Sequence, residues 1–244
     1  MHKKLLPKDV KFGAEYLTYW LNAPVYLKWL RSQVLDLAQQ LGVSLELERK
    51  ELNSLKEVSG LYPNCSSIFN ASGQGLQYDG GNDSECLGVR GQIMLLEVLN
   101  QKSIRYFRRT LTYWADNGCW TSVIKRPVDI KDKNSLDHPQ YILGGTKQPG
   151  DSRTEPRDSD TKKLLDRARV LYRELVFLDG AFHVVKTNVG FRLTRNGGGS
   201  IEEETALNNI RIIHVYGSSG MVFETSVGVA KHALQLYDNI VSKF

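Results

Sequence analysis

The stretch from Ile210 to Val241 restricts the fold more than any other part of this chain. Its first part, Ile210 to Tyr216, is β-branched and aromatic and reads as a short strand. Gly217-Ser218-Ser219-Gly220 follows, four small residues that let the backbone pass close to another group. From about Thr225 the pattern turns helical, with Ser226, Ala230, Ala233, Tyr237 and Ile240 on one face. A strand, a small-residue turn and a helix start together aim free backbone N–H groups and a positive helix end at one point, which suits an anion. An ordinary strand–loop–helix connection has the same pattern, and these residues alone leave both readings open.

The 244-residue chain supplies enough apolar material for one large domain or two smaller ones. Val10 to Leu21 reads as a strand. Asn22 is placed to cap a helix with Pro24 in its first turn, and Leu27, Leu30, Val34, Leu37 and Leu41 then mark a packing face that ends at Gly42. Strands are expected at Val43 to Arg49 and Ser66 to Leu76, with a short strand or turn at Leu52 to Val58. That order suggests a parallel-sheet unit. After the loop Asp79 to Glu85, strands at Val89 to Val98, Ile104 to Tyr113, Thr121 to Ile124 and Gln140 to Gly144 suggest a separate antiparallel or mixed sheet. Gln148 to Asp160 reads as a loop, with Ser159 or Asp160 capping a helix through Leu164, Leu165, Ala168, Leu171 and Leu175. Phe182 to Thr187 reads as a strand, and Asn196 to Ser200 as a hairpin or open turn after Gly190 to Arg195.

Charge and cysteine content remove several function classes. A formal charge of +5 permits nucleic-acid binding, but the basic residues are scattered among acids and accompany no nucleic-acid motif. No apolar run is long enough to cross a bilayer, and the N-terminus lacks a signal-peptide core, so neither a membrane span nor secretion is expected. Cys65, Cys86 and Cys119 form no C-x-x-C pair, and the histidines have no metal spacing, so no metal is expected. The chain ends Ser242-Lys243-Phe244, close to a terminal S-K-L peroxisomal address, and peroxisome or cytoplasm is the expected location.

Four ordered segments resemble the D-amino-acid oxidase family. They are Val10-Lys-Phe-Gly through Asn22-Ala-Pro-Val-Tyr-Leu-Lys-Trp-Leu, Phe69-Asn-Ala-Ser-Gly-Gln-Gly, Val89-Arg-Gly-Gln, and Gly190-Phe-Arg-x-x-Arg followed by His214-x-Tyr-Gly-x-Ser-Gly. The resemblance implies an α/β fold: an incomplete Rossmann-like parallel sheet for FAD beside a mixed or antiparallel substrate domain. Residues 43–78 and 205–241 would form the FAD side, and residues 10–42 and 86–204 the substrate side. It further implies oxidative deamination of a D-amino acid, with oxygen as the second substrate and a homodimer as a possible assembly.

By that resemblance Arg192 binds the substrate α-carboxylate, for which a planar guanidinium is the right group. Gly73, Ser219, Gly220, Met221, Val222, Phe223 and Glu224 would line the flavin. Ser122, Lys147 and Gly220 would join Arg192 around the substrate. Ser122 and Lys147 fall where the family carries tyrosines, and Lys147 favours an acidic side chain. Trp120 is placed to fill some of the space left beside Ser122. Arg195 is expected to be structural, Arg90 and Gln92 to brace the domain junction, and His214 to be a satisfied buried histidine. The family pattern departs at Leu193 and Val222, which replace Pro and Gly. No G-x-G-x-x-G occurs, so the chain begins within the family's middle and its first βαβ unit is absent. The alternatives are a diverged relative that does not hold FAD, and a basic nucleic-acid-binding protein.

Overall fold

A computed structural model of the chain describes residues 10–98, 110–115, 120–127, 139–176, 181–205 and 209–241. The expected strand at residues 104–109 and the tail Ser242-Lys243-Phe244 lie outside them. The chain divides into two compact units. The first comprises Met1–Leu37, Gln92–Lys147 and Thr154–Val189, and the second Ala38–Gly91, Gln148–Arg153 and Gly190–Phe244.

In the first unit an antiparallel set is built on the second half of β2 (Cys86–Glu97), β3 (Leu111–Trp114), β4 (Trp120–Lys125) and β5 (Gln140–Gly144), in the order β3-β4-β5-β2. One face of these strands carries Met94, Leu96, Val123, Tyr141 and Leu143, all essentially solvent-free. Leu164 and Ala168 of helix α3 (Asp158–Leu171) close over them, together with Tyr172. Tyr172 stays in this apolar layer because its hydroxyl donates to the carbonyls of Leu111 and Thr121. Helix α3 starts at Asp158, and neither Ser159 nor Asp160 caps it. The Gln92 amide does that work instead: its oxygen accepts from Arg157 N–H (2.8 Å) and its nitrogen donates to the Arg157 carbonyl and the Thr161 hydroxyl.

The second unit holds a three-stranded mixed sheet, ordered β1-β9-β8: β1 (Ser67–Asn70), β8 (Ser200–Thr205) and β9 (Arg211–Tyr216). β1 runs parallel to β9, and β8 antiparallel to it. Leu55, Ile68, Tyr78, Ile210 and Ile212 form its core on one side. Helix α4 (Val222–Val241) contacts β8 and β9, and Tyr237 brings its ring to Phe69 of β1 (5.8 Å). α4 begins three residues earlier than its apolar period suggests, after a 3-10 turn at Ser219–Met221. The long β7 (His183–Arg195) pairs with β2, and the short β6 (Gln148–Pro149) pairs with Val89 and Arg90. Because β7 pairs with β2 and β8 with β9, residues 196–200 connect two sheets and close no hairpin.

Three further expectations are corrected. Residues 10–22 and 43–50 form no strand. Their alternating apolar residues find no partner strand among the described residues, and Leu17 is fully exposed. A strand exists only where a neighbour completes its ladder, so alternation alone did not suffice. Residues 56–61 form a helix, α2 (Lys56–Leu61), rather than a strand or turn. Helix α1 (Ala23–Leu41) forms as its spacing dictates and ends in a Schellman motif, with Gly42 at φ +64°, its N–H donating to Gln39 O and Val43 N–H to Ala38 O. Asn22 does not cap it, for its side-chain amide donates to the Pro127 carbonyl. No α1 residue is fully buried: Leu30 of the apolar face is half-buried, and Leu27, Val34, Leu37 and Leu41 are exposed. No described helix is long and apolar enough to cross a membrane.

Candidate functional site

The site residues in the second unit are held by three tethers between the end of β7 and the turn after β9. Arg195 N–H donates to Gly217 O, Thr194 forms a bridge with Ser218, and the Thr194 hydroxyl donates to the Ser219 hydroxyl (3.0 Å). Gly217 sits at φ +76°, with Arg195 Cβ only 2.6 Å from where its own Cβ would be, so only glycine fits there. Its N–H in turn donates to Gly73 O, which draws in the turn after β1. Ser219 holds φ +59°, an unusual conformation for a residue with a side chain, at the point where the turn enters α4.

These tethers lay Arg192 between two glycines. A Cβ built on Gly220 would stand 3.3 Å from Arg192 Cδ and 3.6 Å from its Nε. A Cβ on Gly91 of β2 would run into the guanidinium at Nη1. Gly220 makes room for the stem of the arginine and Gly91 for its head. Burial pushes the Arg192 guanidinium below its ordinary value. An arginine remains charged under such a shift, so the notch holds a partly desolvated cation, which binds an anion more strongly than an exposed one does. Gly91 was not singled out from the sequence, although a glycine inside a strand signals a close backbone approach; the approaching group proves to be Arg192.

The residues expected along a flavin gather at the same turn. Ser218 makes no side-chain cap to the 3-10 turn, and Met221, Val222 and Phe223 expose apolar surface at the start of α4, whose first turn also carries Glu224. An apolar, uncapped helix start suits the edge of a flat heteroaromatic ring that gathers negative charge. Gly73, by contrast, offers its missing side chain to the protein: a Cβ there would meet the Leu193 side chain. No described segment forms the strand–G-x-G-x-x-G–helix cradle that a pyrophosphate requires.

Ser122 and Lys147 lie in the first unit. Ser122 faces Gly144 across the β4–β5 ladder, with its hydroxyl 3.4 Å from the Gly144 carbonyl. Trp120 Nε1 lies 3.6 Å from where a Gly145 Cβ would be, so the indole covers this backbone as its size suggests. Lys147 is exposed. Arg90 is fully buried and donates to Arg153 O (2.8 Å) and Gln148 Oε1 (2.6 Å), a structural tie in its own unit. His214 pairs with Asn70 in the β1–β9 register. The Asn70 amide donates to His214 Nδ1 (3.1 Å), which leaves Nε2–H facing Glu204 (2.9 Å). Both ring nitrogens are occupied, so His214 is a satisfied buried histidine.

Arg195 is structural as well. Its Nε donates to Asp83 Oδ2 (2.8 Å), which also accepts from the Tyr216 hydroxyl (2.9 Å). The Arg195 guanidinium, then the Glu85 amide and the Tyr216 hydroxyl, hold the Asp83 carboxyl below its ordinary value of 3.8. A depressed folded value contributes stability that is fully present above pH 3.8 and is lost as pH falls through the folded value. Thermal unfolding followed by circular dichroism is therefore expected to show a Tm that drops on acidification below about pH 4. Asp83→Asn should flatten that part of the profile.

The family model described as FAD dependent oxidoreductase (DAO) matches residues 2–236. The D-aspartate oxidase of Talaromyces thermophilus is 35% identical over 236 residues, covering 97% of this chain and 57% of that protein. The D-amino-acid oxidase of Schizosaccharomyces pombe is 27% identical over 238 residues, covering 96% of this chain and 62% of that protein. Among solved structures, glycine oxidase from Bacillus cereus is similar with a TM-score of 0.46 and 13% identity, over 63% of this chain and 36% of that one. The chain thus spans about three fifths of the length of the curated relatives it matches.

Proposed function

This chain belongs to the DAO family of FAD-dependent oxidoreductases, and on that premise we propose that it carries out FAD-dependent oxidative deamination of D-amino acids, with Arg192 as the carboxylate anchor. The observation that carries the reading is the Arg192 notch between Gly91 and Gly220 at the start of α4. A bidentate guanidinium–carboxylate pair fixes two oxygens of the substrate at once and so fixes the direction of its Cα–H bond. Ser219 to Glu224 would hold the ring end of FAD at the neighbouring helix start. When bound there, FAD supplies the oxidising equivalents that convert the amino acid to an imino acid, and reoxidation by oxygen yields hydrogen peroxide. The imino acid then hydrolyses to a keto acid and ammonia. An amine that enters neutral needs no protein base, and none is assigned.

By the resemblance Lys147 falls where the family carries a tyrosine on the substrate side, and an ammonium in that place would favour an acidic D-amino acid. Lys147→Met is expected to raise KM for D-aspartate about tenfold while changing KM for D-alanine less than about twofold, on the scale of one solvent-accessible charge pair. Steady-state peroxide assays with both substrates read the difference.

The reading as a whole is tested by adding FAD to the purified 244-residue chain, removing excess, and recording the visible spectrum. A retained flavin bleached anaerobically by a D-amino acid is the expected result. A second reading is a diverged relative that does not hold FAD by itself. A chain that binds carboxylates through Arg192 but emerges without flavin would support that one.

A further inference from the structure

The loop between β1 and β2 has no part in the reading above, yet one of its side chains reaches two separate strands near Arg192. We infer that Asp83 is a positioning residue for Arg192: it fixes the end of β7 against the turn that opens α4 and thereby sets where the guanidinium points. The inference rests on Arg192 being the carboxylate anchor.

Asp83 is an unusually well-occupied carboxylate. Oδ1 accepts from Glu85 N–H (2.9 Å), and Oδ2 accepts from Arg195 Nε (2.8 Å) and the Tyr216 hydroxyl (2.9 Å). Its own N–H donates to Gly75 O (2.9 Å). Asn196 N–H donates to Glu85 O (3.0 Å), so the loop grips β7 through a backbone bond as well. Arg195 lies three residues beyond Arg192 on β7, and Tyr216 is the last residue of β9, four before Gly220. One carboxylate therefore ties together the strand that carries the arginine and the strand that leads into its notch.

The notch tolerates little movement. The Gly220 and Gly91 backbones crowd the stem and head of Arg192, so a shift of β7 by a few tenths of an ångström changes both contacts. The other tethers at this junction are a 3.3 Å backbone hydrogen bond from Arg195 to Gly217, the Thr194–Ser218 bridge and a hydroxyl pair. The charge-assisted bond from Arg195 to Asp83 is the strongest of the set. Replacing Asp83 by asparagine keeps its size but turns an N–H donor toward the Arg195 donor or the backbone amide of Glu85. The anchor is lost without a cavity.

The test titrates the 244-residue chain with propionate, a carboxylate that cannot be oxidised as an amino acid, following intrinsic fluorescence. Arg192→Leu should abolish saturable binding, and Asp83→Asn should raise Kd roughly tenfold, as displacement of a positioned group does. Asp160→Asn, which alters a buried carboxylate in the other unit, should leave Kd unchanged and serves as the control for general destabilisation. If Asp83→Asn does not fold, Arg195→Lys carries the same expectation, because an ammonium cannot reproduce the Nε geometry. Folded variants that bind propionate like the parent, beside an Arg192→Leu chain that does not bind it, overturn the positioning role and leave the anchor intact. Absence of saturable propionate binding by the parent chain, or undiminished binding by Arg192→Leu, overturns the anchor and this inference with it.

Discussion

Replacing Arg192 by leucine will lower kcat/KM for any D-amino acid by a factor of about 10² to 10⁴, the cost of about 3–5 kcal/mol for leaving one half of a desolvated ion pair without the other. The fold should survive, since Leu193 and Thr194 keep the strand in place and the lost side chain lines a notch rather than a core. Most of the loss should appear in KM at low substrate, and the rest in kcat, because the arginine both holds the substrate and aims it. Arg192→Lys should recover little: a single ammonium cannot grip two carboxylate oxygens in one plane. Stopped-flow reduction of the FAD-loaded enzyme separates the two contributions. A variant whose flavin is reduced at the parental rate and half-saturation would remove Arg192 from the site.

The second large effect comes from adding a single methyl group. Gly91→Ala places a Cβ against Arg192 Nη1, at the free end of a long side chain. The guanidinium gives way rather than the backbone, so thermal stability should change by less than about 1 kcal/mol, as expected where the clash falls on a side chain that can move. Catalysis should not escape so lightly, because an ångström of displacement at a positioned group costs on the order of a hundredfold. Gly91→Ala should therefore reproduce much of the Arg192→Leu phenotype in a chain that keeps its arginine. A folded Gly91→Ala protein with parental kinetics would show that the head of Arg192 is not confined there.

Much of this was legible in the residues. The strand, turn and helix of β9 and α4 follow from β-branching, small residues and a change of period, and the helix begins only three residues early. Strands β2, β4 and β5 stand where alternating apolar runs place them. What could not be read were the contacts that decide between equal local patterns. Val43 to Arg49 alternates as well as any strand, but alternation does not supply a neighbour. The Gln92 amide caps α3 from 65 residues away, which no local capping rule can anticipate. The same distance in sequence hid the two most informative residues of the site. Gly91 and Asp83 become meaningful only once β7 lies against β2 and the loop reaches back to β9.

β1 bonds to β9 along one side only, and among the described residues no strand lies along its other side. Phe69 of β1 is half exposed, and Phe223, Val227, Ala230 and Leu234 of α4 are exposed apolar residues. An open strand edge beside apolar side chains is a template for adding strands from other molecules. Concentrating this polypeptide should thus drive it into intermolecular β-sheet, visible as thioflavin fluorescence and a concentration-dependent loss from the supernatant. A lysine at position 69 should delay both.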